Sequence, residues 1–85
     1  MDFLFTILGG VEPGGYRRTI GQVAVSADDV AEFRKFEPIF EGRDAREVAE
    51  EIFTQRYETA LAKAGYTYDD AVNQGFDYIE ASESK

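Results

Sequence analysis

Carboxylates are the reactive groups that this sequence supplies in excess. Asp and Glu number 17 against 9 Lys and Arg, which gives a formal net charge of −8. His and Cys are both absent, so the chain lacks the usual acid–base group near neutral pH, a thiolate nucleophile and the commonest transition-metal ligands. Ser26, Ser82 and Ser84 have no histidine to activate them. We therefore predict a protein that is not an enzyme and requires no metal or cofactor.

Two short motifs partly match ligand sites, and both fit a structural interpretation better. Residues 9–15 are rich in glycine, but they lack the Lys-Ser/Thr pair of a phosphate-binding loop and precede a predicted strand. A calcium loop starting at Asp70 would have Gly75 at its sixth position. However, Val72 and Ala81 occupy positions where that loop requires carboxylates. We interpret the first motif as a hairpin tip and the second as a helix start.

The acidic residues are distributed unevenly along the chain. Residues 1–27 carry two acids and two arginines, so the whole excess of −8 lies in residues 28–85. The predicted partner-binding residues are acids on the polar sides of two predicted helices, namely Glu47, Glu50, Glu51, Glu58, Asp70, Asp77 and Glu80. Rows of carboxylates imitate the phosphate charges that dominate nucleic-acid affinity. The predicted partner is therefore a basic, nucleic-acid-binding protein. We predict no direct binding of nucleic acid or membrane by this chain. The simpler interpretation is that the charge maintains solubility.

Hydrophobic periodicity predicts five elements. Residues 3–8 and 16–25 read as two strands of an antiparallel hairpin, since both are rich in β-branched and aromatic residues. Capping patterns and apolar spacing predict three helices, at about 27–36, 45–64 and 68–80. Val30, Phe33 and the more ambiguous Phe36 would face inward from the first helix. Residues 81–85 read as a frayed tail.

The predicted fold is therefore one α+β domain over residues 1–85, with the order β-β-α-α-α. An isolated pair of strands is only marginally stable. We expect either a third strand from residues 36–40 or completion of the sheet by a second copy of the chain.

The small size and strong acidity of the chain resemble those of phage-encoded anti-defence proteins, including anti-CRISPR and DNA-mimic inhibitors. The resemblance rests on size and charge, covers no specific motif and transfers no residue roles. It implies a non-catalytic inhibitor. The alternative is a small structural or assembly protein that forms a homodimer through its hairpin. Residues 3–8 lack the flanking basic residues of a signal peptide, and no apolar run reaches the roughly 20 residues that span a bilayer. We therefore predict a soluble, cytoplasmic protein.

Overall fold

The computed structural model describes residues 2–83, which form a three-stranded antiparallel sheet with helices packed on one of its faces. In chain order the elements are β1 (Asp2–Leu8), β2 (Thr19–Val25), α1 (Ala27–Phe36), a 3₁₀ turn (Pro38–Phe40), α2 (Ala45–Lys63), α3 (Tyr68–Gln74) and β3 (Asp77–Glu83). The strand order is β2-β1-β3, so β1 is central and both of its neighbours are edge strands. The α+β class is confirmed, whereas the predicted order β-β-α-α-α is corrected, because a third strand follows the last helix.

Alternate side chains of the central strand point to a covered face and to an open face of the sheet. Phe3, Phe5 and Ile7 of β1 are buried, whereas the alternating Leu4 and Leu8 are only half-buried. This alternation follows from the two-residue period of a strand. The helices lie on the face that carries Phe5, and the other face has no helical layer among residues 2–83.

Residues 77–83 form a strand, which corrects the predicted helix over 68–80. Gly75 ends α3 in the left-handed conformation, with φ at 73°. β3 then pairs antiparallel with β1, from Asp77 opposite Leu8 to Glu83 opposite Asp2. The pairing satisfies backbone groups of β1 that would otherwise have no partner at this edge. The helix was predicted because Val72, Phe76 and Ile79 also fit helical spacing.

Two further predictions about the sheet and the C-terminal residues are also corrected. Residues 36–40 do not supply the third strand, because Pro38–Phe40 form a 3₁₀ turn. The predicted frayed tail is wrong for residues 81–83, which continue β3, and residues 84–85 lie outside the described part of the chain. The C-terminal part of the same chain therefore provides the third strand that the hairpin needed.

A substitution at Gly75 tests whether α3 ends there or continues to residue 80, because the two cases change the free energy of unfolding in opposite directions. We expect Gly75→Ala to lower the free energy of unfolding by about 1 kcal/mol, since a side chain is disfavoured in the left-handed region. In a helix continuing to residue 80, the same change would raise that free energy by about 1 kcal/mol. Urea unfolding followed by circular dichroism measures the difference. Gly75→Asn is the control and should be destabilised less than Gly75→Ala, because Asn tolerates this conformation better.

The helical layer is organised by α2, as its apolar periodicity predicted. Its buried residues are Val48, Ala49, Ile52, Phe53 and Leu61. The rings of Phe53 and Phe5 stack with their centroids 4.5 Å apart, which fixes the helix over the central strand. On α1, Val30 is buried and Phe33 half-buried, but Phe36 is 75% exposed and does not face the core.

Local capping defines where the helices begin. Ser26 and Asp29 form a reciprocal capping box at α1, and Thr67 and Asp70 form another at α3. Asp44 caps α2 by accepting a hydrogen bond from the backbone N–H of Arg46. Each cap satisfies a backbone donor that has no intrahelical partner. The predicted starts of the three described helices are therefore confirmed.

Candidate protein-binding surface

Three of the seven predicted partner-binding residues lie together on the outer side of α2. Glu47, Glu51 and Glu58 are separated by four and seven residues, which places them on one stripe about 16 Å long. Ala49, Ile52 and Phe53, which are buried, lie away from this stripe, whereas the buried Leu61 neighbours Glu58 at the end of the stripe. Glu47 and Glu58 are exposed and Glu51 is half-buried. We call these three residues the acidic ridge.

The carboxylates of the acidic ridge are not neutralised by ion pairs within residues 2–83. The four ion pairs found there use Glu12, Asp29, Asp77 and Glu80 instead. None of the three carboxylates of the ridge takes part in one of these ion pairs. The acidic ridge can therefore attract a basic surface without first breaking a contact within the described chain.

Glu50 lies on a different side of α2 and faces β3. Arg46, one turn earlier on the helix, donates from Nε to Oε1 of Glu80 at 2.8 Å. That hydrogen bond is the main cause that raises the pKa of the Arg46 guanidinium, and the nearby charge of Glu50 contributes in the same direction. The side chain of Glu80 is only 9% exposed. Glu80 therefore joins β3 to α2 and does not form part of an outer acidic surface.

Asp70 and Asp77 are also engaged in local structure. Asp70 accepts a hydrogen bond from the backbone N–H of Thr67 at 2.9 Å and so caps α3. Asp77 lies 3.5 Å from Arg17 and accepts the backbone N–H of Tyr78 at 2.8 Å. The prediction that Asp70, Asp77 and Glu80 share the polar side of one helix is wrong, because residues 77 and 80 belong to a strand and point to opposite faces of the sheet.

Phe36 of α1 is an exposed apolar side chain in the helical layer. Phe36 borders a shallow groove of about 230 Å³ between α1 and α2, where Glu32, Ile52 and Gln55 also contribute to the lining. Ile39, in the following 3₁₀ turn, is 70% exposed. This feature was not predicted from the sequence, because the spacing of Phe33 and Phe36 fits an inward helical face. Pro38 correctly predicts that the helix ends at residue 36, and in this last turn Phe36 points away from the core.

Tyr57 and Tyr78 pack where the helical layer contacts β3. Tyr78 lies with its ring centroid 4.7 Å from that of Phe53, and the ring of Tyr57 packs edge-on against the same phenylalanine at 5.6 Å. Burial is the main cause that raises the pKa of both tyrosines, and neighbouring acids raise it further. Both hydroxyls are therefore neutral at physiological pH, and the two rings act mainly by packing.

The described residues show neither a metal-ligand cluster nor a membrane-spanning helix. Within residues 2–83, no group of three or more acids is arranged to hold a metal ion. No helix in that part of the chain combines the length and the apolar character required to cross a bilayer. Comparison of the chain with protein-family models, with curated proteins and with solved structures gives no match. The surface itself is therefore the basis for a functional proposal.

Proposed function

We propose that this protein is a non-catalytic inhibitor whose acidic ridge binds a basic, nucleic-acid-binding protein. The observation that carries the proposal is the row of Glu47, Glu51 and Glu58 on the outer side of α2, where no described residue neutralises them. A basic groove that binds phosphates would also attract these carboxylates, and the protein would then exclude nucleic acid from that groove.

The charge density of the acidic ridge requires a second source of affinity. One strand of duplex DNA carries a charge about every 3.4 Å, or about five charges over the length of this ridge. The ridge supplies three. Phe36 shares a groove with Gln55, which is one helical turn after Glu51. We infer that Phe36 contributes apolar contact, since exposed aromatic residues are enriched at the energetic centres of protein interfaces. The partner is then recognised by an acidic and aromatic surface, with more specificity than a simple polyanion provides.

The open face of the sheet favours homodimer formation as a second candidate function. Leu4 and Leu8 of β1 are half-buried there, and Ile79 of β3 is 57% exposed. Thr6 and Ile79 are paired across the centre of this face. Two copies could pack their open faces together, as pairs of sheets do in sandwich folds. The contact would involve all three strands and not only the hairpin.

Charge reversal on the acidic ridge distinguishes the two functions. We expect Glu47→Lys combined with Glu58→Lys to reduce capture of basic proteins from a cell lysate at least tenfold, because attraction becomes repulsion. The captured proteins should be released by high salt, which screens exposed charges, and by competing duplex DNA. The measurement is quantitative mass spectrometry of proteins retained by the immobilised wild type and variant.

A charge-matched control separates the acidic ridge from overall charge. Asp28→Lys combined with Asp69→Lys changes the net charge equally at two exposed sites outside the ridge. This control should retain capture. Equal losses in both double variants, or capture that DNA does not compete with, would contradict the proposed inhibitor. A dimer that light scattering detects in both variants, together with no specific capture, would support the second candidate.

A further inference from the structure

A groove lies between the free edge of β2 and the second half of α2. Its volume is about 610 Å³, which falls within the range of ligand-binding clefts. The strand side is formed by residues 20–23, and the helix side includes Thr59 and Ala60. We call it the edge groove. It lies on a different side of α2 from the acidic ridge.

Backbone hydrogen-bonding groups of β2 face this groove. Arg56 donates from its guanidinium to the carbonyl oxygen of Ala24 at 3.4 Å, so this carbonyl points away from β1. Backbone groups in an antiparallel pair face alternately toward and away from the neighbouring strand. The N–H and C=O of Gln22, two residues earlier, therefore also point outward. No strand covers this edge within residues 2–83, where β2 has β1 as its only neighbour.

The charge of the edge groove is opposite to that of the whole protein. The two charged residues among its lining are Arg56 and Lys63, and no carboxylate contributes to the lining. Arg56 lies 3.5 Å from Asp29, which is outside the lining, whereas Lys63 forms no ion pair within residues 2–83. Arg56 and Lys63 are seven residues apart on α2, or about 10 Å along the helix axis. A strand added to β2 would direct alternate side chains toward the helix and toward these two cations.

We propose that the edge groove binds an extended acidic peptide, which adds to β2 as a fourth strand. Main-chain hydrogen bonds to Gln22 would provide affinity, one peptide carboxylate would pair with Lys63, and another would share Arg56 with Asp29. A symmetric pairing of β2 with a second copy is disfavoured, because it would bring the same cations of both copies toward one shared edge. This second site is independent of the acidic ridge and suits a partner segment of opposite charge.

Selection from a displayed library of random heptapeptides tests the proposal on the whole chain. We expect enrichment of β-branched peptides with Asp or Glu at alternate positions. Amide hydrogen exchange should then show new protection at Gln22 when a selected peptide is bound. Failure to enrich peptides, enrichment of basic peptides, or protection confined to the edge of β3 would overturn the proposal. Protection of Gln22 that depends on protein concentration in the absence of peptide would also overturn it, in favour of self-association.

A single exposed lysine provides the matched variant. Lys63→Glu should weaken binding of a selected acidic peptide by about fivefold to tenfold, measured by fluorescence anisotropy, because an attraction is replaced by a repulsion. Lys35→Glu makes the same charge change on α1, outside the groove lining, and should change affinity less than twofold. Equal weakening in both variants would mean that overall charge, and not the groove, controls binding.

Discussion

Replacing Phe53 by Ala is expected to lower the free energy of unfolding by about 3–5 kcal/mol. Phe53 is 2% exposed, and its ring stacks on Phe5 and lies 4.7 Å from that of Tyr78. Its removal would leave a cavity at the point where α2, β1 and β3 meet. The expected loss is a large part of the roughly 4–13 kcal/mol that per-residue scaling gives for a domain of this size.

Guanidinium unfolding followed by far-UV circular dichroism measures this loss. Phe36→Ala is the matched control, because it removes the same side chain from a site that is 75% exposed. It should change the free energy of unfolding by no more than about 0.5 kcal/mol. Similar losses at Phe53 and Phe36 would show that the core is not centred on the Phe5–Phe53 stack.

The second large effect is expected at Ile79, in the strand that the sequence analysis assigned to a helix. The N–H of Tyr78 donates to Asp77, so it points away from β1. The N–H of Ile79 therefore points toward β1, where Ile79 is paired with Thr6. Ile79→Pro would remove this donor and should lower the free energy of unfolding by about 3 kcal/mol or more.

Ile79→Ala is the control for loss of the side chain alone. Because Ile79 is 57% exposed on the open face, this change should lower the free energy of unfolding by less than about 1 kcal/mol. Both variants are measured by thermal and urea unfolding. If Ile79→Pro were no more destabilised than Ile79→Ala, the pairing of β3 with β1 would be wrong.

The parts of the fold that depend on residues close together along the chain were predictable from the sequence. The apolar spacing of α2 identifies one buried helical face, and its length makes the pattern unambiguous. The capping residues Ser26, Asp44 and Thr67 act within three positions along the chain, so each helix start was also visible. The three residues of the acidic ridge were found for the same reason, since they share a helix.

The remainder depends on pairing between distant segments. A seven-residue strand such as β3 carries few alternating positions, and here Val72, Phe76 and Ile79 also matched a helix. Once β3 is a strand, Glu80 reaches Arg46, which is 34 residues away in sequence. No local pattern indicates that ion pair, and it removes Glu80 from the predicted partner-binding surface. The edge groove was missed for a related reason, because the strand order decides which edge is free.

The strand order also has a consequence during protein synthesis. β1 acquires β2 soon after it is made, but its other neighbour lies beyond all the helices, with Leu8 paired to Asp77. Closing so long a loop is entropically costly and slows folding. Until residues 77–83 leave the ribosome, the nascent chain exposes an open strand edge beside Phe5 and Ile7. Such an edge invites aggregation and is a target for chaperones, so the native sheet is completed only when β3 has emerged.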